Sequence, residues 1–392
     1  AGFLQQPMIF NTGPIAPNAV AHYAYSLGDA AAVGVYRSPL AATGALDNSA
    51  WMPGTMSGKV PSYLSYVKIE GKPMIIYEGS FFRPYAYRAE WGPMMAALAL
   101  QQDWDAVFLY QYGHPNVIYS DGGTAAGYGT MPLPDPMATS TALWRRDYTW
   151  GFHHGGDPAV MGSWAAAGRL VIGNTEEVSP IAVWRIPLST IYAKPAGYPA
   201  GYYDSADLRS KRGAVATRFV ANAADGCLPC TFSGPTPTTF SVTWPSADQP
   251  LLRIQATQGE MLSGQLAGNL GTLANSFSLS VTGPRFGVVA VLRDQPVGRE
   301  SSAWWLYSLG QVSNKGMVFD RSTVQYDSPI GAITGMKAEG SAPLVYTSQT
   351  VTWRAPAAFA ARTENFGLAT SGSKPAATSG SLAAGPTTFR VR

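Results

Sequence analysis

The sequence predicts an α/β segment followed by an all-β segment, with the change of texture near residue 180. Up to that point apolar strand-like runs alternate with helix-like patterns, as βα units on a parallel sheet do. Beyond it, short alternating runs are separated by turn residues at short intervals, the habit of antiparallel β-sandwich modules. A chain of 392 residues is also too long for one ordinary core. These observations divide it into residues 1–180 and 181–392.

In the first part, QPMIFNTG (6–13) reads as a strand, AVAHYAYSLG (19–28) as a helix and DAAAVGVYRS (29–38) as the next strand. PSYLSYVKIEG (61–71) reads as a helix and KPMIIYEGS (72–80) as a strand that finishes on Glu78 before Gly79 and Ser80 break the run. An apolar run of that kind, bounded by Pro and Gly, predicts a strand covered on both faces. A long helix over 83–104 carries a Gly-Pro interruption, and DAVFLYQYG (105–113) returns to strand. DPAVMGSWAAAGRLV (157–171) opens with Asp157 and Pro158, a helix-start pair, and completes four βα units. In the second part the strand candidates are 238–244, 251–258, 277–283, 286–293, 302–310, 344–355 and 387–392. The Ser/Ala/Gly/Thr-rich stretch 371–385 reads as a loop, and there is no internal repeat.

Composition excludes several classes. Only 13% of residues are charged and the formal net charge is +3, so nothing points to nucleic acid. No run approaches the 18 or so uncharged apolar residues of a membrane span, and AGFLQQPMIFNTG lacks the layout of a signal peptide. The two cysteines, Cys227 and Cys230, lie in DGCLPC, within a stretch rich in Gly, Pro and Thr that predicts a loop. A redox CxxC sits at a helix start, and a zinc site needs two further ligands that no nearby His supplies. The pair therefore reads as a local disulfide, with free thiols as the alternative, and the disulfide implies a secreted or extracytoplasmic setting.

The order KPMIIYEG, then YRAEWGPMMAALALQQDWDAVFLYQY, then DPAVMGSWAAAGRLV resembles the C-terminal part of retaining glycoside hydrolases of the (β/α)8-barrel superfamily, clan A. SAWWLYSLGQVSNKGMVFD (302–320) resembles the β-domain that follows the barrel in the same proteins. The resemblance implies the C-terminal half, strands five to eight, of a TIM-type barrel, followed by β-sandwich modules. It implies Glu78 as nucleophile, with a strand-end carboxylate salt-bridged to Arg83 or Arg88 as the alternative, a carbohydrate substrate, and neither cofactor nor metal. No Asn-Glu dipeptide, the superfamily's acid/base signature, precedes Glu78, so the acid/base is expected from an N-terminal half-barrel chain or segment. A non-catalytic carbohydrate-binding or structural surface protein on the same scaffold is the alternative.

The resemblance also places Tyr36 where a hydroxyl orients the nucleophile, with rim packing as the alternative. Tyr110 and Tyr112 close the last strand where the superfamily carries a tryptophan platform for sugars. Flat amphipathic rings suit that role, and strand-end packing explains them equally. Arg88 and Glu90 read as structural residues at a helix start. Asp103 and Asp105 shape the turn into the strand. His153, His154 and Asp157 fall in a Gly-rich loop, where Asp157 suits a helix cap better than a metal site.

Overall fold

A computed structural model describes residues 7–10, 19–37, 67–81, 87–110, 158–174, 176–193, 213–245, 251–274, 277–294, 304–310, 312–316, 318–319, 325–327, 332–334, 336–338, 341–346, 350–365, 368–382 and 387–391. The architecture is mixed α/β, with most elements strands and most of the sheets antiparallel.

The first sheet is parallel and its strands lie in chain order: β1 (Ile9–Phe10), β2 (Ala30–Arg37), β3 (Met74–Phe81) and β4 (Ala106–Val107). Helix α1 (Ala19–Leu27) joins β1 to β2, and α2 (Trp91–Gln102) joins β3 to β4. Helix α3 (Pro158–Val171) follows. Ala31 and Val33 of β2 and Met74 and Ile76 of β3 share one core cluster with residues of all three helices. Alternation along a strand then turns the residues between them to the other face.

Several predicted boundaries move. The strand predicted to break at Gly79 and Ser80 runs on to Phe81, because pairing with β2 continues through Arg37. The Gly-Pro pair does not interrupt the long helix. Gly92 and Pro93 sit in the first turn of α2, where backbone N–H groups have no intrahelical acceptor, so proline forfeits nothing. Residue 67 is helical, but Ile69 already forms a parallel bridge to Thr217, and Gly71 at φ 74° turns the chain into β3.

At Gly92 α2 and α3 approach closely. A Cβ there would overlap the Ser163 carbonyl of α3, a backbone group that cannot swing aside. Gly92→Ala should destabilise the protein by about 1–3 kcal/mol, through forced separation of the helices, read as a lower urea midpoint.

A three-stranded mixed sheet comes next, with β5 (Ala182–Pro187) between β6 (Val215–Val220), parallel, and β7 (Cys227–Thr231), antiparallel. The stretch predicted to be a loop, DGCLPC, thus lies largely in an edge strand. A short helix α4 (Leu188–Ala193) follows β5. This sheet carries a further βα step beyond the predicted boundary, of which the change of texture at 180 gave no sign.

The largest sheet is antiparallel and eight-stranded, and it contains the long hairpin β10 (Gly259–Leu273) and β11 (Phe277–Arg293). The two strands predicted at 277–283 and 286–293 are one, and β10 had no counterpart in the sequence reading. β8 (Phe240–Thr243), β9 (Leu251–Ala256) and β12 (Trp304–Gly310) fall where expected, and the short strands β13 (Val312–Lys315), β14 (Val318–Phe319), β15 (Gln325–Asp327), β16 (Ala332–Thr334) and β17 (Met336–Ala338) follow. The single strand predicted over 344–355 divides into β18 (Ser341–Tyr346) and the start of β19 (Val351–Asn365). The predicted loop 371–385 is mostly β20 (Leu368–Leu382), paired along β19, and β21 (Thr387–Val391) closes the chain's strand list. β11 pairs with both β12 and β19, and β21 pairs with both of those, so four strands close a circuit.

Both faces of this sheet are buried. Val288, Ala290 and Leu292 of β11 join the core shared with the helices, while Val289 and Val291 join a second core with Leu262, Leu306 and Trp353. The near-continuous apolar run FGVVAVLR follows from that double burial. Arg169 of α3 pins the junction: its guanidinium lies 4.4 Å over the Trp305 ring, and its Nε donates to Tyr307 Oη at 3.0 Å. One apolar core therefore runs across the boundary that the sequence texture suggested.

A second tie is electrostatic. The exposed Glu176 carboxylate accepts from the backbone N–H groups of Thr238 and Thr239 at 2.8–3.0 Å and from the Thr239 hydroxyl. The Thr239 hydroxyl, followed by the two backbone donors, holds its pKa down to about 2. The stabilisation is complete above the ordinary carboxylate range and disappears as pH falls toward 2, where the folded carboxylate takes its proton. Thr239→Val should raise the Glu176 pKa toward 4.5, a change that carboxyl NMR titration reads directly.

Candidate functional site

The register between β2 and β3 slips beside Glu78. Val33 pairs with Ile76 and Gly34 pairs with Glu78, leaving Tyr77 as an extra residue: a β-bulge. The bulge reverses the phase of the strand. Before it, even-numbered Met74 and Ile76 enter the helix-side core; after it, odd-numbered Phe81 does, packed 5.0 Å from the Trp91 ring. Without the extra residue, Glu78 would share the phase of Met74 and Ile76 and be driven into apolar packing. With it, Tyr77 and Glu78 both lie on the sheet face away from the helices, and both are half-buried.

Gly34 makes this arrangement possible. A Cβ at that position would stand 2.9 Å from Tyr77 Oη and 3.1 Å from Glu78 Cγ. The phenol and the carboxylate stem therefore converge on the surface that glycine leaves bare. Next along the strand, Ser80 is fully buried, and its hydroxyl has no hydrogen-bond partner. Such an orphan costs about 1–3 kcal/mol of desolvation.

On the other side of β3, hydrogen bonding continues past the formal end of β4. Phe108 N donates to Ile76 O at 2.8 Å and Tyr110 N to Gly79 O at 3.0 Å. Val107 and Leu109 pack on the helix-side core, which assigns Phe108 and Tyr110 to the opposite face by alternation. Phe108 is 55% exposed there, large for an aromatic in a parallel sheet. Tyr110 is half-buried, beside the carboxyl end of β3.

Of the residues singled out by the sequence, Glu78 and Tyr110 thus come to one end of one sheet. Tyr36 pairs in register with Ser80, two positions beyond the Gly34–Glu78 pair. Arg83, Tyr112, His153, His154 and Asp157 lie outside the described residues. Arg88 and Glu90 are buried in the turn that leads into α2. Asp103 caps α2 in a left-handed conformation and pairs with Lys68 at 2.9 Å, while Asp105 accepts from Met74 N at 2.8 Å. Both aspartates shape the chain around the β3–β4 connection. Cys227 and Cys230 form a disulfide, Cα atoms 5.3 Å apart, in the separate mixed sheet.

Sequence reasoning missed Gly34, Tyr77, Ser80 and Phe108. Apolar periodicity carries no mark of a bulge, so Tyr77 read as core. The one visible signal was Gly34 itself, a glycine inside an apolar strand pattern, where close approach of another group is a standing expectation.

Among the described residues, no group of three or more His, Cys, Asp or Glu gathers as a metal site, and no helix is long and apolar enough to cross a membrane. No known family, curated protein or solved structure matches the chain.

Proposed function

We propose that the chain is the C-terminal half of a (β/α)8 retaining glycoside hydrolase acting on an oligo- or polysaccharide, with Glu78 as nucleophile. The observation that carries this reading is the position of Glu78. It stands near the carboxyl end of a parallel strand, turned by a bulge to the face opposite the helices, in a sheet whose strands follow chain order. That end and that face are where a barrel gathers its reactive groups.

Parallel sheets are ordinarily covered on both sides, so the exposed Phe108 favours a second half-barrel, as a partner chain or segment, closing over that part of the face. That half would bring the acid/base. Glu78 attacks the anomeric carbon as the glycosidic C–O bond breaks, and the second carboxyl group protonates the departing oxygen. Water, deprotonated by the same group, then displaces Glu78 and restores both carboxyls, which retention requires to stand about 5–5.5 Å apart. Tyr36, Tyr110 and Tyr112 would line the sugar site as stacking and hydroxyl-bearing faces. The disulfide supports a secreted or extracytoplasmic setting.

The test is covalent trapping. Activated 2-deoxy-2-fluoro glycosides, offered to the complete assembly, should add one glycosyl mass to the peptide containing Glu78. Sugar retention without any such adduct would replace the hydrolase by the carbohydrate-binding alternative.

A further inference from the structure

We propose that the cavity between α2, α3 and the start of β4 is a binding site for a compact aromatic cation, an arylalkyl-ammonium ion, whose ring enters beside Trp104 and Trp164 and whose ammonium group meets the Asp105 carboxylate at the rim. The inference stands apart from the hydrolase reading, because the cavity lies on the helix side of the first sheet and Glu78 lies on the other face.

The cavity originates in the way the helices pack. At Gly92 the backbone of α2 lies against Ser163 of α3. One to two turns further along, both helices present small residues, Ala96 and Ala99 on α2 and Ala167 and Gly168 on α3, and a space of about 240 Å3 opens there. Gly168 is exposed, and a Cβ at that position would meet nothing within 4 Å, so the mouth is clear although glycine weakens a helix interior.

Three features select the occupant. An apolar cavity of about 150 Å3 stays dry and takes up a benzene ring, so a larger one lined mainly by apolar side chains suits a ring with a short chain better than water. Two of the lining residues are indoles, Trp104 buried and Trp164 half-buried, and indole faces attract both rings and cations. Asp105 is the one ionisable residue among the described lining residues. Its Oδ2 accepts from Met74 N at 2.8 Å, which fixes the carboxylate, and its exposure leaves the charge at the mouth. A fixed negative charge beside an apolar slot complements a ring that carries an ammonium group and repels the same ring carrying a carboxylate.

The probe is 4-fluorophenethylamine, followed by its own 19F resonance on addition of the full chain, with 4-fluorophenylacetate as the counterpart of opposite charge. The amine should bind about tenfold more tightly than the acetate, or better. Asp105→Asn keeps an acceptor for Met74 N while removing the charge, and should weaken the amine about tenfold, bringing the two probes to similar affinity. Gly168→Leu, which puts a side chain at the mouth and improves the helix, should abolish amine binding with the urea midpoint unchanged or raised. Equal binding of amine and acetate by the unaltered chain, or an amine affinity that Asp105→Asn leaves unchanged, overturns the proposal. So does the absence of amine binding at millimolar concentration. Because Asp105 is exposed, its amide variant should fold, and that variant carries the decision.

Discussion

Glu78→Gln in the complete assembly should lower aryl-glycoside turnover by roughly a thousandfold or more, the scale expected when a nucleophile is removed from a concerted site. The amide is nearly isosteric, and position 78 is half-buried beside a bulge whose geometry comes from the backbone, so the fold should be retained. That separates chemistry from collapse. Circular dichroism and urea midpoints should match those of the unaltered chain, while the glycosyl-enzyme intermediate fails to form. Glu78→Ala opens a space for a small anion, and azide should restore part of the turnover with the opposite anomeric product. Turnover of Glu78→Gln equal to that of the unaltered protein would remove this carboxylate from the mechanism.

Acidification should destabilise the fold through His22. Its ring is fully buried on α1, with Nε2 donating to Val67 O at 3.3 Å and Phe219 edge-on at 5.3 Å. Burial drives its pKa down from 6.5 to about 3, against the smaller opposing effect of the Val67 carbonyl. Between those values the unfolded chain binds a proton that the folded chain refuses. Stability from this group is therefore complete above pH 6.5 and erodes as pH falls toward 3. The slope is about 1.4 kcal/mol per pH unit for a single such group. Urea midpoints followed from pH 7 to pH 4 should fall accordingly, and His22→Phe should flatten the dependence by that amount. A His22→Phe variant with the same slope as the unaltered protein would show that the imidazole is already accessible to protons.

How far the sequence reveals this architecture depends on which force shaped each element. The parallel strands were legible as short apolar runs bounded by Gly, Pro or Asp, and the helices as the longer patterns between them. Ala30–Val33 and Met74–Ile76 are such runs. The carboxylate of Glu78 was legible because a charged group after an apolar run is out of place in a core. Its companion Tyr77 was not, since a bulge is a property of pairing between strands and leaves no period in either one. The hairpin partner β10 was missed for a related reason: GEMLSGQLAGNLGTL is rich in glycine, and register shifts after Leu266 and Asn269 break its alternation. The stretch 371–385 has Leu382 as its one large apolar residue, and its extended form follows from pairing along β19. The boundary near 180 marks a change of local texture, and texture says nothing about which faces later meet, as Arg169 on Trp305 illustrates.

Two adjacent glutamines at the end of α2 reach in different directions. Gln101 Oε1 accepts the Trp244 indole N–H at 2.8 Å, while Gln102 bonds both Gly213 O and Val215 N at 2.9 Å. Lys68 closes the same helix end by donating to the carbonyls of Gln102 and Asp103. The helix behind the Glu78 strand is thus moored to two other sheets at once, like a post guyed from several sides. On the proposed hydrolase reading, any breathing that admits a sugar chain would fall in front of the strand, with the moored helix behind it as the fixed reference.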